Sequence, residues 1–181
     1  GDKIIIKGPS GVGKSSLIEV ILGLRKINSG TCYLNGNKLN NYKLYKKIKF
    51  SYLPQSGYMI DDTIKNNILL NNKNLQNKTF WKIIDICQLK NFILKLKKKE
   101  NTVTGENGFR LSGGQKQRIC IARALAGKPK FLILDESTNA IDIQTENLIL
   151  KYLMKSYKDI TLVMITHRKT SAKYFNKVID M

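Results

Sequence analysis

The sequence predicts an α/β fold, a mostly parallel sheet covered by helices, with a helical subdomain inserted into it. Three observations support that class. Short β-branched runs alternate with longer amphipathic stretches, the rhythm of βα units. From residue 54 to about 116 this rhythm stops, and stretches such as NKTFWKIIDICQL place apolar residues at helical spacing instead. Finally, 42% of the residues are apolar and 8% aromatic, enough for a globular core, yet no apolar run approaches the ~20 residues that span a bilayer.

Residues 3–7, KIIIK, read as the first strand and run straight into a glycine-rich loop, followed by an amphipathic helix over 15–24. A short strand is expected over 31–34, between the turn signals Asn28-Ser29-Gly30 and Asn35-Gly36. FSYL at 50–53 is the next strand. Helices are expected over 78–89 and 112–126, the first of them burying Trp81 in the helical cluster. FLILD at 131–135 is apolar up to its last residue, as a strand covered on both faces should be. A helix over 141–156 and strands over 160–166 and 177–179 complete the order.

A length of 181 residues fits one domain, with 1–55 and 117–181 as the α/β core and 56–116 as the helical subdomain. The chain opens inside a strand, with no basic-then-apolar leader ahead of it, and so reads as an N-terminally truncated fragment. There is no internal repeat and no low-complexity linker.

Cys32, Cys87 and Cys120 are odd in number and lack CxxC spacing, which argues against a disulfide framework and a zinc site and fits a reducing compartment. The 32 Lys and Arg against 13 Asp and Glu give a net charge of +19, which attracts nucleic acid, anionic headgroups or nucleotides alike. Lys, Asn and Ile are abundant together, as AT-rich coding produces, so most lysines, including the run KLKKKE at 95–100, read as solvated surface.

Gly8, Gly13, Lys14 and Ser15 fill every fixed place of G-x-x-x-x-G-K-[ST], with a strand before and a helix after. The whole loop, Gly8, Pro9, Ser10, Gly11, Val12, Gly13, Lys14, Ser15 and Ser16, is therefore the candidate phosphate cradle of a P-loop (RecA-like) NTPase. Its amides and helix end face the anion, Lys14 brings a point charge to the β- and γ-phosphates, and the Ser15 hydroxyl ligates magnesium. FLILDE then ends in two carboxylates at the carboxyl edge of the sheet. Neighbours on a strand point to opposite sides, so Asp135 can serve the magnesium shell while Glu136 polarises water.

LSGGQKQRICIARAL at 111–125 is very close to the signature of ATP-binding-cassette (ABC) ATPases, and the chain resembles that family over nearly its whole length. The resemblance implies ATP and magnesium as ligands. It also implies a second cassette, identical or not, paired head to tail so that Leu111, Ser112, Gly113, Gly114 and Gln115 close over the partner's nucleotide. In this scheme the amides of residues 112–114 and the Ser112 hydroxyl form an anion site at a helix N-terminus. Gln55, in YLPQ, resembles the Q-loop glutamine that meets magnesium and links to the membrane domain. Asp142, in STNAID, resembles the acid at the dimer seam, although a helix N-terminal acid looks the same in sequence. His167, the one histidine, resembles the switch residue that reads the γ-phosphate.

DDTIKNNI and TGENG are similar to exporter cassettes, where Glu106 faces a membrane domain carried N-terminally on the same chain, at the cytoplasmic face of the cell membrane. The family's adenine-stacking aromatic belongs upstream of residue 1, so this stretch alone is expected to bind ATP weakly. The alternative, a DNA-repair or translation ATPase acting on nucleic acid, lacks its usual long insert or second cassette; nucleic acid is not the expected partner.

Overall fold

The computed structural model describes residues 1–34, 36–38, 49–70 and 72–181. Five strands, β1 (Lys3–Lys7), β4 (Phe50–Leu53), β5 (Phe131–Asp135), β6 (Thr161–Ile165) and β7 (Lys177–Asp180), form one sheet in the order β4-β5-β6-β1-β7. Every neighbouring pair is parallel, with Leu134 opposite Met164, Asp135 opposite Ile165 and Ile5 opposite Met164 on the other side. All carboxyl ends therefore lie along one edge. Two-residue strands β2 (Tyr33–Leu34) and β3 (Asn37–Lys38) pair antiparallel as a separate ribbon. The turn expected there draws on Asn35, which lies outside the described residues.

Alternation on the strands splits the core into two layers, because successive side chains leave a strand on opposite faces. Leu132, Leu134, Leu162 and Met164 point into the larger cluster. Ile133 and Ile165 join Ile6, Ile18 and Leu22 on the other face, beneath helix α1 (Lys14–Ile21). The larger cluster is roofed by α2 (Ile64–Leu69), α3 (Asn77–Ile86), α5 (Gly113–Ala126) and α6 (Ile143–Ser156), while α4 (Lys90–Leu94) packs beside α3 and contributes Ile93. Phe80 of α3 is buried in it, edge-on to the partly buried Trp81 with ring centroids 5.6 Å apart.

Helix limits follow backbone breaks and caps rather than the apolar pattern. α1 stops at Ile21, short of residue 24, because Gly23 turns left-handed at φ 70°. α3 ends at Ile86 instead of 89, where Gln88 adopts φ 54° and the chain restarts as α4. α6 begins at Ile143, not 141, because the Asp142 carboxylate accepts the Thr145 N–H at 2.9 Å and caps it. α2 and α4 are too short for periodicity to reveal. Thr63 caps α2, its hydroxyl accepting the Asn66 N–H at 3.0 Å.

Buried Arg123 ties α5 to the stretch after β4. Its guanidinium donates to the carbonyls of Asn67 (2.7 Å) and Tyr58 (2.9 Å) and to Asn67 Oδ1 (2.8 Å). The lysines of 95–99 are exposed, as solvated side chains should be. Cys87 and Cys120 are buried free thiols whose pKa values burial pushes upward. Among the described residues no His, Cys, Asp or Glu cluster could hold a metal, and no helix is long and apolar enough to cross a membrane.

Candidate functional site

Four strand ends deliver the site. The loop after β1 wraps back into α1, whose first residue, Lys14, is only 6% exposed. Gly13 makes that turn possible: it caps α1 at φ 103°, a conformation L side chains rarely adopt, with nothing within 4 Å of where a Cβ would stand. The Lys14 ammonium donates to the carbonyls of Gly8 at 2.9 Å and Pro9 at 2.8 Å. An exposed polar cleft of about 260 Å³ opens here, lined by Ser10, Gly11, Gly13, Lys14, Ser15 and Ser16 together with Gln55 and Glu136. Thus the ends of β1, β4 and β5 meet over the loop.

Glu136 follows β5 in a left-handed conformation, φ 48°, its N–H donating to Ile165 O at 3.0 Å. Strain of this kind gathers at functional sites. Its carboxylate collects three neighbours: His167 Nε2 lies 3.2 Å from Oε1, while Oε2 accepts from Asn139 Nδ2 at 3.3 Å and Gln55 Nε2 at 3.5 Å. Asp135, one residue earlier, is 3% exposed and accepts the Tyr52 hydroxyl at 3.0 Å. Burial, then this bond, pushes the Tyr52 phenol well above its ordinary pKa, so it stays a donor. Ser15, Gln55 and Asp135 offer only oxygen ligands of the hard kind magnesium takes, and the first two line the cleft.

The candidate signature stands elsewhere. Residues 111–115 do not line this cleft. Ser112 and Gln115 form a reciprocal capping box on α5, the Ser112 hydroxyl accepting the Gln115 N–H at 3.2 Å and Gln115 Oε1 accepting the Ser112 N–H at 2.9 Å. The Ser112 amide, expected among the free donors, is thereby engaged, and those of Gly113 and Gly114 follow it at the helix end. Gly114 is pressed against the loop before α6; a Cβ there would meet Ala140 O at 2.8 Å. Gln117 Oε1 accepts the Ala140 N–H at 2.8 Å on the same contact. Hydrogen bonds to Thr145 hold the Asp142 carboxyl below its ordinary pKa. Glu106 is exposed on a single helical turn, Glu106–Gly108, remote in sequence from the cleft residues and absent from its lining.

Tyr52 and Asn139 touch the site without having stood out in the sequence. A tyrosine in an otherwise ordinary strand signals nothing until register places it beside β5, opposite Ile133. Asn139 lies inside STNAID, where only its acid had drawn notice.

Comparison with known proteins identifies the family. The sequence profile of the ABC transporter family matches residues 1–139. An export ATP-binding/permease protein of Rickettsia prowazekii is 41% identical over 92% of this chain and 29% of its own length. The ATP-dependent lipid A-core flippase of Wigglesworthia glossinidia brevipalpis is 36% identical over 99% of the chain and 31% of its own. A bacterial Atm1-family ABC exporter, solved with ATP bound, superposes with a TM-score of 0.91 at 27% identity, covering 99% of this chain and 32% of that one. The chain spans about a third or less of the length of these relatives. Family profile, relatives and backbone agree: this chain belongs to the ABC transporter family, in the part that carries ATP binding.

Proposed function

We propose that the chain is the ATP-hydrolysing cassette of an exporter, working as one of two head-to-tail cassettes beneath a membrane domain at the cytoplasmic face. The observation that carries this reading is the convergence of Gln55 and Glu136 on a buried-lysine glycine loop, with His167 held 3.2 Å from the Glu136 carboxylate. Residues 8–16 hold the triphosphate through loop amides and the Lys14 ammonium. Ser15, Gln55 and Asp135 would hold magnesium, which when bound would offset charge on the phosphate oxygens. Glu136 takes a proton from water as the water oxygen attacks the γ-phosphorus in line. The bond to the bridging oxygen breaks, releasing ADP and phosphate. His167 orients the Glu136 carboxylate through the 3.2 Å contact and faces the γ-phosphate.

Residues 111–115 serve the partner's nucleotide, which is consistent with their standing outside this chain's own cleft. Asp142 lies at the seam between cassettes. Residues 56–116 act as the helical subdomain against a core of 1–55 and 117–181, with Gln55 and Glu106 transmitting its movement to the membrane domain. The exporters among the relatives favour this over an ATPase working on nucleic acid.

The test is Glu136→Gln in the intact protein. It keeps size and hydrogen bonding but not basicity, so ATP binding is retained while turnover falls about 10²- to 10⁴-fold. Wild-type turnover in a protein that still binds ATP removes Glu136 from this role.

A further inference from the structure

We propose that Arg168 is a positioning residue for hydrolysis, clamping the loop that presents His167 to the loop that presents Glu136 through the buried carboxylate of Glu146. The inference rests on the roles proposed above for Glu136 and His167.

The contacts between those two residues do not fix them by themselves. The His167 side chain is 52% exposed, and the three contacts of Glu136 lie at 3.2–3.5 Å, the long end of hydrogen bonding. One residue further on, the Arg168 side chain turns inward and is only 22% exposed. Its Nη1 donates to Glu146 Oε2, its Nη2 to the Asn139 carbonyl at 2.9 Å, and its backbone N–H to the Thr166 hydroxyl at 3.1 Å. Glu146, in the first turn of α6 and 1% exposed, uses its other oxygen to accept the Thr138 hydroxyl at 3.0 Å.

One carboxylate thus grips both loops at once: residue 138 behind Glu136 and residue 168 behind His167. The guanidinium closes the circuit, because the residue whose carbonyl it holds, Asn139, donates its own side chain to Glu136. A ring results, running Glu136, His167, Arg168, Asn139 and back to Glu136, with α6 as its rigid mount. Holding two carbonyl or carboxylate oxygens in different directions needs the planar fork of arginine. A charge pair buried this deeply is a poor stabiliser in net terms but a good means of fixing one geometry among several.

The experiment compares Arg168→Lys, the double variant Arg168→Met with Glu146→Gln, and Glu136→Gln in the intact protein, reading kcat and KM for ATP together with the melting temperature. The double variant removes both charges of the pair, and its glutamine keeps an acceptor for Thr138. Its kcat is expected to fall about 10- to 100-fold, with KM within about threefold of wild type and melting nearly unchanged, since misplacing a reacting group by about 1 Å costs that much. Arg168→Lys keeps the buried pair but gives up the Asn139 contact, so its kcat falls between the two.

Wild-type kcat in either folded variant overturns the proposal, as does a loss of kcat matched by an equal rise in KM or by loss of fold. If Glu136→Gln is inactive while the double variant turns over normally, the clamp alone is refuted. If Glu136→Gln turns over normally, the clamp fails together with the reading it rests on.

Discussion

At the scale of single residues, the site is a set of side chains each held by something the sequence does not place next to it. Tyr52 is an instance. It reaches Asp135 across 83 positions of sequence, and its phenol is kept protonated by burial and by that bond. A folded-state pKa raised above the unfolded value gives stability that is complete below the unfolded pKa and lost as pH rises through the folded one. The destabilisation of Tyr52→Phe relative to wild type is therefore expected to be constant below about pH 10, the ordinary tyrosine value, and to shrink above it. Denaturant melts of both proteins from pH 7 to 11.5 check this; a difference that already shrinks near neutrality contradicts it.

At the scale of elements, caps decide more than periodicity does. Strands β1, β4 and β5 begin and end where the sequence predicts them, at 3–7, 50–53 and 131–135. Helices were legible in kind and place but not in their limits. A left-handed Gln88 or a capping Asp142 overrides the apolar pattern, and neither conformation is written in the residue type alone. Asp142 has a measurable share: Asp142→Ala should cost about 1 kcal/mol, the usual worth of an N-cap. Its lowered pKa gives the sign with pH. The contribution is complete above about pH 4 and fades as pH falls through the lower folded value, so the two proteins should converge in acid. Melts at pH 7 and pH 3 test the pair of statements together.

At the scale of the whole molecule, the glycine loop, FLILDE and LSGGQ could each be singled out in the sequence because the phosphate chemistry expected of them demands particular residues at fixed spacing. What joins them was not. Gln117 holding Ala140, Arg168 holding Asn139 and Arg123 holding Asn67 are contacts between residues 23 to 56 positions apart, and long-range pairing leaves no periodic trace. The Gly114–Ala140 approach seats the candidate signature turn directly on the loop that follows Glu136. If two cassettes share their sites head to tail, defects in different halves should complement. Protein carrying Glu136→Gln mixed with protein carrying Ser112→Arg, each inactive alone, should regain about a quarter of wild-type ATPase, since half the pairs are mixed and each has one intact site. The assay is phosphate release after co-expression. No recovery, with mixed pairs verified by differential tags, excludes a site shared in this way.

One small feature reaches further than its size. An ammonium carries three protons, and two of those on Lys14 are spoken for by the carbonyls of Gly8 and Pro9. The side chain is therefore a tripod standing on two feet, with the third limb aimed by the loop rather than by the anion. An arginine would bring the same charge on a larger flat plate, whose donors lie in one plane instead of splaying as an ammonium's three do. Aim, not electrostatics alone, is what the loop asks of this position.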